Sequence, residues 1–118
     1  MNRTSLIIGF LALSMAVTCP APVWAEVTDD NLAEKVAAAK TSGDHLEIAA
    51  YYRGIADASD KKVRQHERML ASVTSAPKGS GGAWTGHCKA LIAAFKSTKK
   101  DAELMAQEHE AMAGKAGD

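Results

Sequence analysis

The strongest constraint on this fold is a break. From Thr74 to Gly86 the chain reads TSAPKGSGGAWTG, a run of Gly, Ser and Pro that halts any regular element. The stretches on either side are rich in Ala, Lys, Glu, Leu and Met and poor in β-branched runs, which is the composition of helices. Two long helix-forming stretches joined by thirteen flexible residues bury their apolar faces most directly by folding back on each other. The expected fold is therefore all-α: a long antiparallel helical hairpin, with a short N-terminal helix packed against it.

The boundaries follow from local signals. A first helix is expected from Asp29 or Asp30, with Leu32, Val36 and Ala39 turned inward, ending at TSGD around Gly43. Asp44 is then expected to cap the second helix, with Glu47 three residues on as in a capping box. That helix runs to about Val73, and Gly54 weakens it without ending it. Thr85 is expected to cap the third helix, which frays at Gly114.

Residues 1–25 read as an export signal. Arg3 supplies the positive start, LIIGFLALSMAV from Leu6 to Val17 the apolar stretch, and Val23-Trp24-Ala25 the small-residue cleavage pattern before Glu26. The apolar run is shorter than the ~20 residues of a membrane span. Cys19 follows Thr18, where a lipoprotein signal would carry Gly, Ala or Ser. The expected product is a single domain of residues 26–118, periplasmic or secreted, with no membrane span. Cleavage removes Arg3 and no acid, which leaves one acid in excess and no electrostatic basis for binding nucleic acid. Cleavage also leaves Cys88 as the only thiol. In an exported chain a lone cysteine suggests a metal ligand, an intermolecular disulfide or a reactive thiol; its plainer role is a small buried apolar residue.

The second half repeats one idea. HERML begins at His66 and HEAMA at His109, 43 residues later. At the same offset Tyr52 meets Phe95, Ile48 meets Leu91, and His45 meets Cys88, as in a duplication that retained its two ends. On a helical wheel His45, Ile48, Tyr52, Ala56, Val63, His66 and Leu70 form one stripe. Cys88, Leu91, Phe95, Ala106 and His109 form the other. Lys99 intrudes on the second stripe and must snorkel or mark an exposed edge.

Within one helix His45 and His66 are about 31 Å apart, so any shared site has to be built between helices. Facing residues of an antiparallel pair have a constant sum of numbers. A sum of 154 sets His66 opposite Cys88 and His45 opposite His109. One end then offers His66, Met69 and Cys88, with His87 beside them. The other offers His45, His109 and Met112, each His and Met three residues apart on a common face. Imidazole, thioether and thiolate together suit copper, Cu(I) above all, whereas zinc would recruit a carboxylate or further Cys and His. Glu67 and Glu110 either assist or face solvent. The competing account is that these His and Met side chains simply fill the core and interface.

HLEIAAYYRGIADASDKKVRQHERM followed by GHCKALIAAFKSTKKDAELMAQEHEAMA resembles small exported bacterial helical proteins with a similar His, tandem Tyr, H-x-x-M and His-Cys arrangement, over most of residues 44–113. It bears a distant likeness to small periplasmic metal-binding proteins, without their dense histidine repeats. The resemblance implies a helical envelope protein and no particular activity. No catalytic motif is present and no enzyme is expected: there is no Ser, His and Asp arrangement, and GSGG lacks the strand and helix that a phosphate loop needs. Noncovalent haem held by His with Met or Cys is a further alternative. So is a non-catalytic interaction role, since TSGDHLEIAAYYRGIADASD resembles one tetratricopeptide-type helix, although a solenoid needs about three repeats. A domain of this size with an Ala-rich core is expected to pair with a second copy, forming a four-helix bundle.

Overall fold

The computed structural model describes residues 26–75 and 82–116. The expected export signal and cleavage site, and the centre of the expected connector, lie outside these residues. The described chain is helical, in the order α1 (Leu32–Ala38), α2 (Ser42–Thr74) and α3 (Gly82–Lys115). α2 and α3 pack against each other as the expected hairpin, and α1 docks on α2.

Several boundaries differ from expectation. The N-cap of α2 is Thr41, not Asp44: its hydroxyl accepts from the Asp44 amide at 3.1 Å. Asp44 sits at the third helical position, and its Oδ2 accepts from the Thr41 and Lys40 amides, each at 2.9 Å. The box is thus shifted back by three residues, because Thr41 lies in extended backbone that aims its hydroxyl at the first turn. α3 begins at Gly82, so Thr85, expected as its cap, lies inside the first turn. A glycine such as Gly86 costs a helix only about 1 kcal/mol, and pairing with α2 extends α3 until the two helix ends are nearly level.

α1 begins at Leu32. Asn31 precedes it, and its side chain accepts from the Thr28 amide at 2.8 Å and donates to the Glu26 carbonyl at 2.9 Å. Val36, expected to face inward, is exposed, and the buried anchor of this segment is Val27 ahead of the helix. Two turns of helix cannot bury a full apolar stripe. Polar links do part of the docking: Lys35 pairs with Glu47 at 3.6 Å, and the Tyr51 hydroxyl donates to Asp29.

The hairpin is held by a seam of alternating four- and three-residue steps. On α2 it runs His45, Ala49, Tyr52, Ala56, Ser59, Val63, His66, Leu70; on α3 it runs Cys88, Ile92, Phe95, Lys99, Ala102, Ala106, His109, Ala113. All of these are buried or half-buried. Such a period averages 3.5 residues and keeps one face of each helix on its partner through a gentle left-handed supercoil. Small side chains such as Ala56, Ser59, Ala102 and Ala106 lie in the middle of the seam, a composition that favours close approach within the ~8–10 Å range of packed helices. The expected stripe is therefore corrected at two positions: Ala49 takes the seam place expected of Ile48, which is buried on the flank, and Ile92 lies in the seam while Leu91 is 41% exposed. Tyr52 and Phe95 are half-buried. Lys99 snorkels as expected, reaching Asp60 Oδ1 at 2.8 Å.

The two flanks of the seam differ. One is polar: Arg53 meets Glu110 through a fork, Nε to Oε1 at 2.7 Å and Nη2 to Oε2 at 2.8 Å, and Lys96 meets Glu67 at 3.1 Å. The opposite flank carries Ile48, Ile55, Lys62 and Met69 from α2, with Leu91, Thr98, Met105 and Met112 from α3. A groove lined by Tyr52, Ile55, Thr98, Asp101, Ala102 and Met105 runs along it.

Candidate metal-binding hairpin ends

His45 lies in the first turn of α2 and His109 near the last turn of α3, so the antiparallel hairpin brings them to the same end. Their Nδ1 atoms are 3.1 Å apart, with ring centroids at 5.4 Å and planes tilted by 36°. The pairing expected from a register sum of 154 is therefore present. On its other side His109 stacks on Tyr52, centroids 6.1 Å apart and planes within 19°. His109 is itself buried. Burial first, and the neighbouring His45 second, hold its imidazole below the usual histidine range, with Glu108 opposing weakly. A neutral imidazole keeps a lone pair, which is the form that ligates metals.

His66 stacks on Phe95, centroids 5.8 Å apart and planes within 11°. Its Nδ1 is buried without a hydrogen-bond partner. Cys88 is an unpaired thiol, 2% exposed, facing inward from the first turns of α3. Met69 is half-buried and Met112 is 45% exposed on the apolar flank. His87, expected to supplement Cys88, is exposed and off the seam. Glu67 and Glu110, expected to assist a metal or face solvent, are engaged by Lys96 and Arg53.

The partners of these glutamates and the rings under both histidines are the features that the sequence pattern left unassigned. A signal for them was present. Arg53 and Lys96 are separated by the same 43 residues as Tyr52 and Phe95, so a basic residue follows each aromatic and faces each glutamate.

Among the described residues no three His, Cys, Asp or Glu side chains converge as a metal-binding group. The donor pair seen in contact among the described residues is His45 with His109. Bonds of ~2.0–2.1 Å from imidazole nitrogen to a metal would bridge two nitrogens 3.1 Å apart at an angle near 100°, roughly that of a tetrahedral or trigonal centre. Comparison of the chain with protein-family models, curated proteins and solved structures finds no match in any of the three.

Proposed function

We propose that the chain is an exported, non-catalytic metal-binding protein that takes up copper, as Cu(I), at the hairpin end where His45 and His109 meet. One observation carries this reading: two imidazole nitrogens from opposite helices lie 3.1 Å apart with no carboxylate between them. Two bases so placed, one buried and one half-buried, either share a proton or share a metal. Met112, three residues beyond His109, is the thioether that such a site would recruit from the exposed rim, and a small, soft donor set favours Cu(I) over zinc. The role that fits such a site is buffering or delivery of the ion outside the cytoplasm.

The test is anaerobic competition for Cu(I) against a chromogenic chelator. The native chain should withdraw copper, and His45→Ala and His109→Ala should each lose that capacity at this end. If both variants compete as well as the native chain, the imidazole pair is only a proton-sharing core contact. Export is tested separately by sequencing the amino terminus of the periplasmic product, which should begin at Glu26.

The apolar flank supports the other half of the proposal, a homodimer. Between Trp84, 59% exposed, and Met112 it extends about 42 Å. Across two helix widths of ~20 Å this is on the order of 800 Å², the size of one side of a standard protein interface. A second copy presenting the same flank completes a four-helix bundle. Sedimentation should show a dimer, and Leu91→Lys with Met105→Lys should yield a monomer; a native chain that stays monomeric across concentration refutes it.

A further inference from the structure

The two hairpin ends are related by more than a repeated motif. Shift each α2 residue by 43 onto α3 and each α3 residue back by 43 onto α2, and observed contacts map onto observed contacts. The Tyr52–His109 stack becomes the Phe95–His66 stack. The Arg53–Glu110 ion pair becomes the Lys96–Glu67 ion pair. An aromatic contact in the seam and a charged contact on the polar flank thus report one pseudo-twofold axis. The relation fails where Lys99 meets Asp60, because the counterpart of Lys99 is Ala56.

The same operation carries the His45–His109 pair onto Cys88 and His66. The mapped pair makes no hydrogen bond of its own, and two facts describe the donors that the mapping sets at this second corner. The Cys88 thiol is 2% exposed and unpaired, and the His66 Nδ1 is buried with no partner. A buried nitrogen without a hydrogen bond is destabilising, and a bound ion at this corner would offset that cost.

We infer that Cys88 and His66 form a second metal site, the pseudo-twofold mate of the imidazole pair, in which thiolate replaces one imidazole and Cu(I) is the ion taken. Met69, three residues after His66 as Met112 is after His109, occupies the equivalent thioether position. Binding forms one Cu–S and one Cu–N bond and releases the Cys88 thiol proton to solvent, with no change in oxidation state. The inference rests on the reading that the hairpin takes up a soft metal, but its donors are separate, since the two ends stand about 31 Å apart along the helices.

The experiment is an anaerobic Cu(I) titration of the reduced native chain against a chromogenic chelator, following capacity and the ultraviolet thiolate-to-copper band. The native chain should bind two equivalents and show the band. Cys88→Ser should halve the capacity and abolish the band, while His109→Ala should halve the capacity and keep it. Cys88→His should restore the second equivalent without the band. As a readout that needs no substitution, Cu(I) should protect Cys88 of the native chain from alkylation. The inference is overturned if the native chain shows no band and copper leaves alkylation unchanged, even when the imidazole pair binds. Loss of all capacity in Cys88→Ser, with none lost in His109→Ala, would instead overturn the imidazole-pair reading and leave this one standing.

Discussion

The small-residue seam makes a quantitative prediction about Ala106. This residue is 0% exposed, one helical turn from His109. The contacts of His109 with His45 and Tyr52 mean that Ala106 faces the turn of α2 between Ala49 and Tyr52. Ala106→Leu adds three carbons where no space exists, and overpacking of this kind costs about 1–3 kcal/mol. At roughly 4–8 °C per kcal/mol for a domain of this size, a cost of ~2 kcal/mol lowers Tm by about 8–16 °C. The geometric consequence is more specific. Widening the interaxial distance from ~8 to ~10 Å would open the His45–His109 gap from 3.1 Å to about 5 Å. Two metal–nitrogen bonds of ~2.1 Å span at most ~4.2 Å, so Cu(I) uptake at this end should fall with stability. Thermal circular dichroism measures the first effect and chelator competition the second, with the exposed Ala90→Leu as control. An Ala106→Leu protein as stable as the control would refute close packing of the seam. Reduced stability with unaltered copper uptake would refute the link between seam width and the imidazole pair.

Thr41→Ala removes the hydroxyl that caps α2 and should cost about 0.5–2 kcal/mol, measured by urea unfolding; an unchanged midpoint would show that the cap contributes nothing. The Asp60 carboxyl is held below the usual carboxylate range, first by its hydrogen bond from Lys99 and then by Arg64. A depressed pKa stabilises the fold above the unfolded carboxylate value of about 3.9, and that contribution is lost as pH falls through the lower folded value. Asp60→Asn should therefore destabilise the chain at neutral pH and flatten the acid limb of its stability profile; an unchanged acid limb would show that the Lys99 pair contributes nothing. Arg53→Ala breaks an exposed fork and should cost no more than about 1 kcal/mol, a loss that shrinks in high salt; a salt-independent loss would show that the arginine stem, and not its charge, does the work.

Much of this architecture was legible because it depends on average properties. Helix composition on both sides of a Gly-, Ser- and Pro-rich break is enough for a hairpin, but the sequence left its register open between an index sum of 154, which sets His45 against His109, and a tighter packing with Val73 level with His87, which separates them. The choice between Leu91 and Ile92 as seam residue was not legible. On a straight wheel both border the stripe, and supercoiling to 3.5 residues per turn decides in favour of Ile92. The α2 cap was missed for a related reason, since Thr41 and Asp44 both suit a cap and only the extended backbone at Thr41 separates them. Of the metal-ligating candidates, the pattern identified the corners. It could not reveal that Phe95 and Tyr52 lie against the histidines, because a stack depends on ring orientation.

The links that join the long helices lie between Ser42–Thr74 and Gly82–Lys115 themselves: the two ring stacks, the imidazole pair and the cross-helix ion pairs. These bonds are made between the helices themselves, so the link between residues 75 and 82 need not stay continuous for them to persist. A protease cut there should leave a nicked molecule whose two fragments stay together. The cut turns an intramolecular association into a bimolecular one, so cohesion of the nicked form depends on its concentration relative to the effective concentration the tether supplied, of millimolar order for short flexible links. Fragments 26–75 and 82–118, produced separately and mixed, should in turn find each other as a heterodimer, with the helical signal growing as the mixture is concentrated.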